Sequence, residues 1–153
     1  MTGARIRLIV VATVFAGWMV WLALAVLDKG TADPISRAQL TEANVLVVAE
    51  VIAGPDGKPS GNVKVTQRIG DAGPPEGTEI EVANLAQAVV PNKGFPGPGT
   101  YLLPLVTRDN LLYSIAGLPR SPGYEAVANP PHPSIYPWSD ATKAQLRSLG
   151  YGL

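Results

Sequence analysis

The sequence predicts a mostly β protein: an N-terminal transmembrane helix, then a five-stranded small barrel with short flanking helices and a Pro-rich strap. Three observations predict it. Residues 8–27 are a twenty-residue run without a charge. Between 44 and 116, short blocks rich in Val, Ile, Leu and Thr alternate with loops holding Pro, Gly and Asp. From Gly117 to Trp138, six prolines fall within 22 residues, which excludes a helix or a central strand there.

The first element, residues 8–27, reads LIVVATVFAGWMVWLALAVL. A helix rises about 1.5 Å per residue, so this run matches the ~30 Å hydrocarbon core of a bilayer. Arg5, Arg7 and the N-terminal amine precede it; Asp28, Lys29 and Asp33 follow. The positive excess keeps residues 1–7 in the cytoplasm and places the rest outside, in a single-pass inner (cytoplasmic) membrane topology. A cleaved signal peptide is the rival reading, because Ala23-Leu24-Ala25 has a form that a peptidase cuts. Against it, the apolar run exceeds the usual h-region of about 7–15 residues, and the triplet lies inside the run. Ala12, Thr13, Ala16 and Gly17 give small-residue spacings that let helix backbones approach.

Residues 28–43 read as a linker and a short helix. Asp33 suits the N-cap and Pro34 the first helical position, with the helix ending near Ala43. Asn44 to Ile52 is apolar on both faces except at Glu50, as in a central, doubly covered strand. Gly54-Pro55-Asp56-Gly57 is a turn: Pro presets φ, Asp bonds its own backbone, and Gly allows positive φ. Asn62 to Ile69 alternates, with Val63, Val65 and Ile69 on one face and Lys64, Thr66 and Arg68 on the other. Thr78 to Leu85 is the third strand. A long loop over 86–99 leads to a fourth, Thr100 to Thr107, where Pro104 lacks an N–H and predicts an edge position or a bulge. Arg108-Asp109 turns the chain into a fifth strand, Asn110 to Ala116. Strands in this meander-like order and spacing predict a small barrel or sandwich over 44–116. Residues 117–153 are a strap, packed through Tyr124, Ile135, Tyr136 and Trp138, and a last helix. That helix has Ser139 as N-cap, Asp140 in its first turn, Arg147 in its last and Gly150 just past its end.

The runs ANVLVVAEV, KVTQRI, EGTEIEV and GTYLLPL resemble those of small bacterial membrane-anchored exported domains of unknown function. The resemblance covers about Asn44 to Ala116 and implies an OB-like barrel, similar in outline to the TIMP/netrin type. It carries no known active site. The chain departs from true TIMP and netrin domains in having no cysteine, so protease inhibition does not carry over.

Composition removes several functions. Without cysteine there is no disulfide, thiol catalysis, Cys zinc site or lipid-modified Cys. Formal net charge is zero, and after Leu27 ten Lys and Arg face twelve Asp and Glu. There is no basic stripe, so nucleic acid is not a predicted partner. His132 is the single histidine and stands among prolines without a partner at motif spacing. Glu79 and Glu81 share one strand face, and Asp28 and Asp33 form a second pair; no Asp-rich loop supplies the six or so oxygens calcium needs. Gly94-Phe95-Pro96-Gly97-Pro98-Gly99 lacks the Gly-Lys-Ser/Thr ending of a phosphate loop and reads as a connector or a partner-binding loop. A Ser/Lys dyad of the signal-peptidase kind would take Ser36 as nucleophile and Lys64 as base. Ser36 lacks the Ser-Met-x-Pro context, and Lys64 alternates outward with Thr66 and Arg68.

The prediction is therefore a non-catalytic, membrane-anchored, extracytoplasmic binding or assembly module, with no catalytic, cofactor-binding or metal set. Its predicted partners are the lipid bilayer and other membrane subunits, as in an accessory subunit of an envelope complex. A Ser/Lys-type envelope hydrolase is the alternative.

Overall fold

The computed structural model describes residues 2–28, 33–91, 93–108, 112–117 and 132–153. The chain forms two compact units, Met1–Ala32 and Asp33–Leu153.

The first unit is one uninterrupted helix, α1 (Thr2–Asp28), 27 residues long and enclosing the predicted apolar run. From Ile9 to Leu24 its apolar side chains fall all round the axis rather than on one stripe. Ile9, Val14, Phe15, Trp18, Trp21 and Leu24 are each more than half exposed. Thr13 returns its hydroxyl to the Ile9 carbonyl at 2.9 Å, so even the polar group in this stretch is satisfied within the helix. Among the described residues no helix is long and apolar enough to cross a membrane.

The second unit is mostly β, built on β1 (Val45–Ala53), β2 (Pro59–Ile69), β3 (Glu79–Glu81), β4 (Gly99–Arg108), β5 (Leu112–Ile115) and β6 (Tyr136–Pro137). Two short helices flank them, α2 (Arg37–Glu42) and α3 (Asp140–Ser148). The strands form one antiparallel sheet in the order β3-β2-β1-β4-β5, with β6 also on β4. The predicted meander is thus corrected. β1 and β2 are the predicted hairpin, but β4 returns to the other edge of β1. Residues 82–98, with a 3-10 turn at Leu85–Gln87, carry the chain between these edges. The sheet edges then meet: Val82 and Tyr113 form a parallel bridge, and Ala83 N–H donates to the Tyr113 carbonyl at 2.9 Å. The Asn84 side chain extends this seam, accepting from Ile115 N–H at 2.6 Å and donating to the Ile115 carbonyl at 3.1 Å.

β1 is covered on both faces over Val45 to Ala49, as its sequence predicts, whereas Ile52 near its end is exposed. Val47, Ala49 and Val51 pack inward with Val63, Val65, Leu103 and Leu105. Leu46 and Val48 pack outward beneath Leu40 of α2, Tyr136 of β6 and Leu146 of α3. Ile69 departs from the prediction that it shares a face with Val63 and Val65: it joins the outer cluster. The register slips between Val48 and Ala49, which pair with Gln67 and Val65, leaving Thr66 as an extra residue on β2. One extra residue reverses the side-chain alternation beyond it.

Glycine is required at two turns. Gly57 closes the β1–β2 turn at φ 73°, with the Asp56 carboxylate accepting from Lys58 N–H at 3.2 Å. Gly73 has φ 117°, and a Cβ there would lie 2.6 Å from Val45 Cγ1. At the other end of the chain, α3 matches its prediction, from the Ser139 cap to Gly150 at φ 90°. The first short helix does not. It starts at Arg37 with Ser36 as its cap, because Asp33 is engaged elsewhere.

Candidate functional site

Two features of the second unit gather polar groups that the sequence left scattered. One is a buried junction beneath α2; the other is a cleft beside it.

The junction arises from Pro104. The sequence predicts β4 at an edge or bulged there, yet β4 is paired on both sides. Its second edge is shared. β6 occupies Tyr101 and Leu102, β5 occupies Leu105 to Arg108, and Pro104 stands in the break between them. The Pro104 carbonyl accepts from Ala116 N–H at 2.8 Å. Proline has no N–H to return to the Ala116 carbonyl. The Gln39 side chain takes that role: Nε2 donates to the Ala116 carbonyl at 2.8 Å and to the Ser134 carbonyl at 2.8 Å. Its Oε1 accepts from the Tyr136 hydroxyl at 2.7 Å, and that hydroxyl accepts from Ser36 N–H at 3.0 Å. Gln39 is fully buried, and its amide group is satisfied by two backbone carbonyls and the Tyr136 hydroxyl. Burial pushes the Tyr136 phenol above its ordinary value, against opposing hydrogen bonds to the Ser36 backbone and the Ser134 side chain.

The same segment is clamped at its start. Asp33 carboxylate pairs with Lys93 Nζ at 3.2 Å. Ile35 N–H donates to Gln145 Oε1 at 2.9 Å, and Gln145 Nε2 reaches the Asp33 carbonyl at 3.5 Å. Asp33 to Gln39 is thereby tied to the β3–β4 connection, to β6 and to α3.

The cleft lies between α2 and the chain end. It has a volume of about 310 Å³ and is lined by Arg37, Leu40, Thr41, Ser148, Leu149 and Tyr151. Arg37 is exposed, whereas Leu40 is buried and forms its floor. Thr41 donates to the Arg37 carbonyl at 3.0 Å and Ser148 to the Gln145 carbonyl at 2.7 Å. Sequence reading missed both features. The one available signal was an arginine and a glutamine within a short helix, which says nothing of what each faces.

The residues singled out from sequence stand elsewhere. Ser36 Oγ caps α2, accepting from Gln39 N–H at 3.3 Å. Lys64 lies exposed in the outer row of the sheet, paired across strands with Glu50 and Glu79. No hydrogen bond joins Ser36 to Lys64. Glu79 and Glu81 are exposed on β3, and no cluster of three or more His, Asp or Glu that could hold a metal occurs among the described residues. His132 is exposed, beside Pro133, whose carbonyl accepts from Val89 N–H at 3.0 Å. Asp28 and Asp33 fall in different units.

The Gly94–Gly99 segment is a packed connector. Gly94 carbonyl accepts from Val90 N–H at 2.7 Å, Tyr101 hydroxyl donates to the Gly97 carbonyl at 2.7 Å, and Phe95 packs on the inner core. In the strap, Ile135 and Tyr136 are buried and Trp138 packs on the outer cluster. Tyr124 lies outside the described residues. Comparison of the chain with protein-family models, with curated proteins and with solved structures finds no match in any of the three.

Proposed function

We propose that the chain is a membrane-anchored binding or assembly module. In this reading α1 spans the inner membrane with its N-terminus in the cytoplasm. An OB-like barrel lies outside and serves as a non-catalytic accessory subunit of an envelope complex. The exposed, all-round apolar surface of α1 carries the reading. A helix apolar on every side is stable only where apolar surroundings cover it. Leaving a Leu, Ile, Val or Phe side chain in water costs about 1.5–3 kcal/mol. Arg5 and Arg7 before the run, with Asp28 after it, favour the inside-to-outside direction. The strand order β3-β2-β1-β4-β5, with the Val82–Tyr113 bridge drawing its two ends together, supports the OB-like assignment.

Membrane fractionation of the full chain with alkaline carbonate extraction tests the anchor; a C-terminal alkaline-phosphatase fusion tests its direction. Retention in the pellet with an active fusion is the expected result. Release by carbonate, or an inactive fusion beside an active cytoplasmic reporter, overturns it. Purification from native membranes in mild detergent then tests the subunit role: a stoichiometric protein partner supports it, and a lone chain removes it.

A further inference from the structure

We propose that the α2–α3 cleft is a site for a phosphate ester, with a phospholipid headgroup as its source. The choice of lipid rests on the anchor reading above; the site itself does not. The cleft has the chemistry of such a site. Arg37 is its single cation, and no carboxylate is among the side chains lining it. The two ion pairs found among the described residues are Lys93–Asp33 and Lys143–Asp140, so Arg37 is bound to neither acid. A guanidinium presents a planar fork of donors that matches two oxygens of a phosphate. Tyr151 adds a phenol, and the Thr41 and Ser148 hydroxyls, now donating to backbone carbonyls, are rotors that can swing to an anion. Leu40 and Leu149 supply an apolar floor for the carbon skeleton of the ester.

The site is also held in shape. Gln39, two residues from Arg37, is fixed by its three buried hydrogen bonds. Tyr151 N–H is fixed to the Leu146 carbonyl at 3.1 Å. Lipid is favoured as the source because Arg37 follows the end of α1 by only nine residues, which is at most about 30 Å of chain.

The full chain in nonionic detergent is titrated with dihexanoyl phosphatidic acid, glycerol 1-phosphate and dihexanoyl glycerol, with binding read by native mass spectrometry. One phosphatidic acid per chain is expected. Arg37→Gln should weaken it about tenfold, the loss of one charge-assisted contact, while Arg68→Gln, on β2 outside the cleft, leaves it unchanged. Phosphatidic acid binding well above glycerol 1-phosphate makes the source a lipid; equal affinity keeps the site and makes the source a soluble ester. The proposal is overturned if dihexanoyl glycerol binds as tightly, or if Arg37→Gln binds like the parent. A chain stripped by carbonate that still binds glycerol 1-phosphate through Arg37 fails the anchor and keeps the cleft. An integral chain indifferent to Arg37→Gln fails the cleft alone.

Discussion

α1 and β1 are written in nearly the same letters and meet opposite fates. Each is a run rich in Val, Leu, Ile and Ala, broken by a charge in β1 only at Glu50. In β1 the side chains of Val45 to Ala49 and of Val51 are buried, Val47, Ala49 and Val51 completely, with Ile52 exposed near its end, while from Ile9 to Leu24 of α1 all are exposed but the half-buried Leu22. The difference lies in the backbone. A helix satisfies its own N–H and C=O groups and exists without neighbours; a strand needs a neighbour on each edge, and the neighbours bring covering layers with them. β1 therefore recruits β2, β4, α2 and α3, whereas α1 depends for cover on whatever medium surrounds it.

That contrast can be broken or sharpened by substitution. The largest effect is expected in the inner core, where Leu103→Ala should cost about 2–5 kcal/mol in denaturant unfolding of the second unit. Its counterpart Val14→Ala in α1 should stay within about 0.5 kcal/mol in the same assay. Equal effects would mean that α1 is packed on a partner surface rather than standing apart energetically.

Next comes the junction where β4 loses its ladder. Gln39→Ala strips partners from the Ala116 and Ser134 carbonyls and from the Tyr136 hydroxyl at once. A loss of about 3 kcal/mol is expected. Hydrogen exchange at Ala116 and Tyr136 should rise with it. A neutral result would show that water replaces the side chain there.

A smaller effect concerns alkaline pH. Tyrosine ionises near 10.0 when free, and burial raises both Tyr136 and Tyr101 above that value. Below pH 10 both states hold their protons and the contribution is fully present. Above it the unfolded chain gives up protons that the native phenols retain, so stability falls as pH rises through the folded values. Thermal melts between pH 9 and 11.5 should show this decline, and Tyr136→Phe should flatten it. A decline unchanged by that variant would assign it to Tyr101 alone.

The smallest effect is expected at Lys93. Its ion pair with Asp33 is half exposed on the lysine side, so Lys93→Ala should cost under about 1 kcal/mol in urea. A larger loss would show that the pair, rather than Gln39 and Gln145, fastens the start of the second unit.

How far the fold could be read in advance varies by element. β1, β2, β4 and α3 were legible because each carries a local signature: a two-sided apolar run, an alternation, a Gly-x-Tyr-Leu-Leu block, a Ser-Asp cap. β6 was not, because two residues among prolines have no period to read. Nor was the flip of Ile69, since a bulge is a property of a strand pair and not of either strand. The short helix was misplaced by three residues because Asp33-Pro34 is a sound local start. Lys93, sixty positions away, takes the Asp33 carboxylate instead.

The sequence by itself determined the division of the chain into an apolar helix and a β-rich unit. It also determined the doubly covered central strand, the turn at Gly57 and the caps of α3. Each of these depends on residues within a few positions of one another, where steric rules and spacing act directly. Only the tertiary structure decided the order of strands, the seam from Val82 to Tyr113, the filling of the Pro104 gap by Gln39 and the cleft around Arg37. Those depend on groups brought together from about 30 to 110 positions apart in the chain. No local pattern encodes such meetings; they follow from which edges and faces remain unsatisfied once the strands have paired.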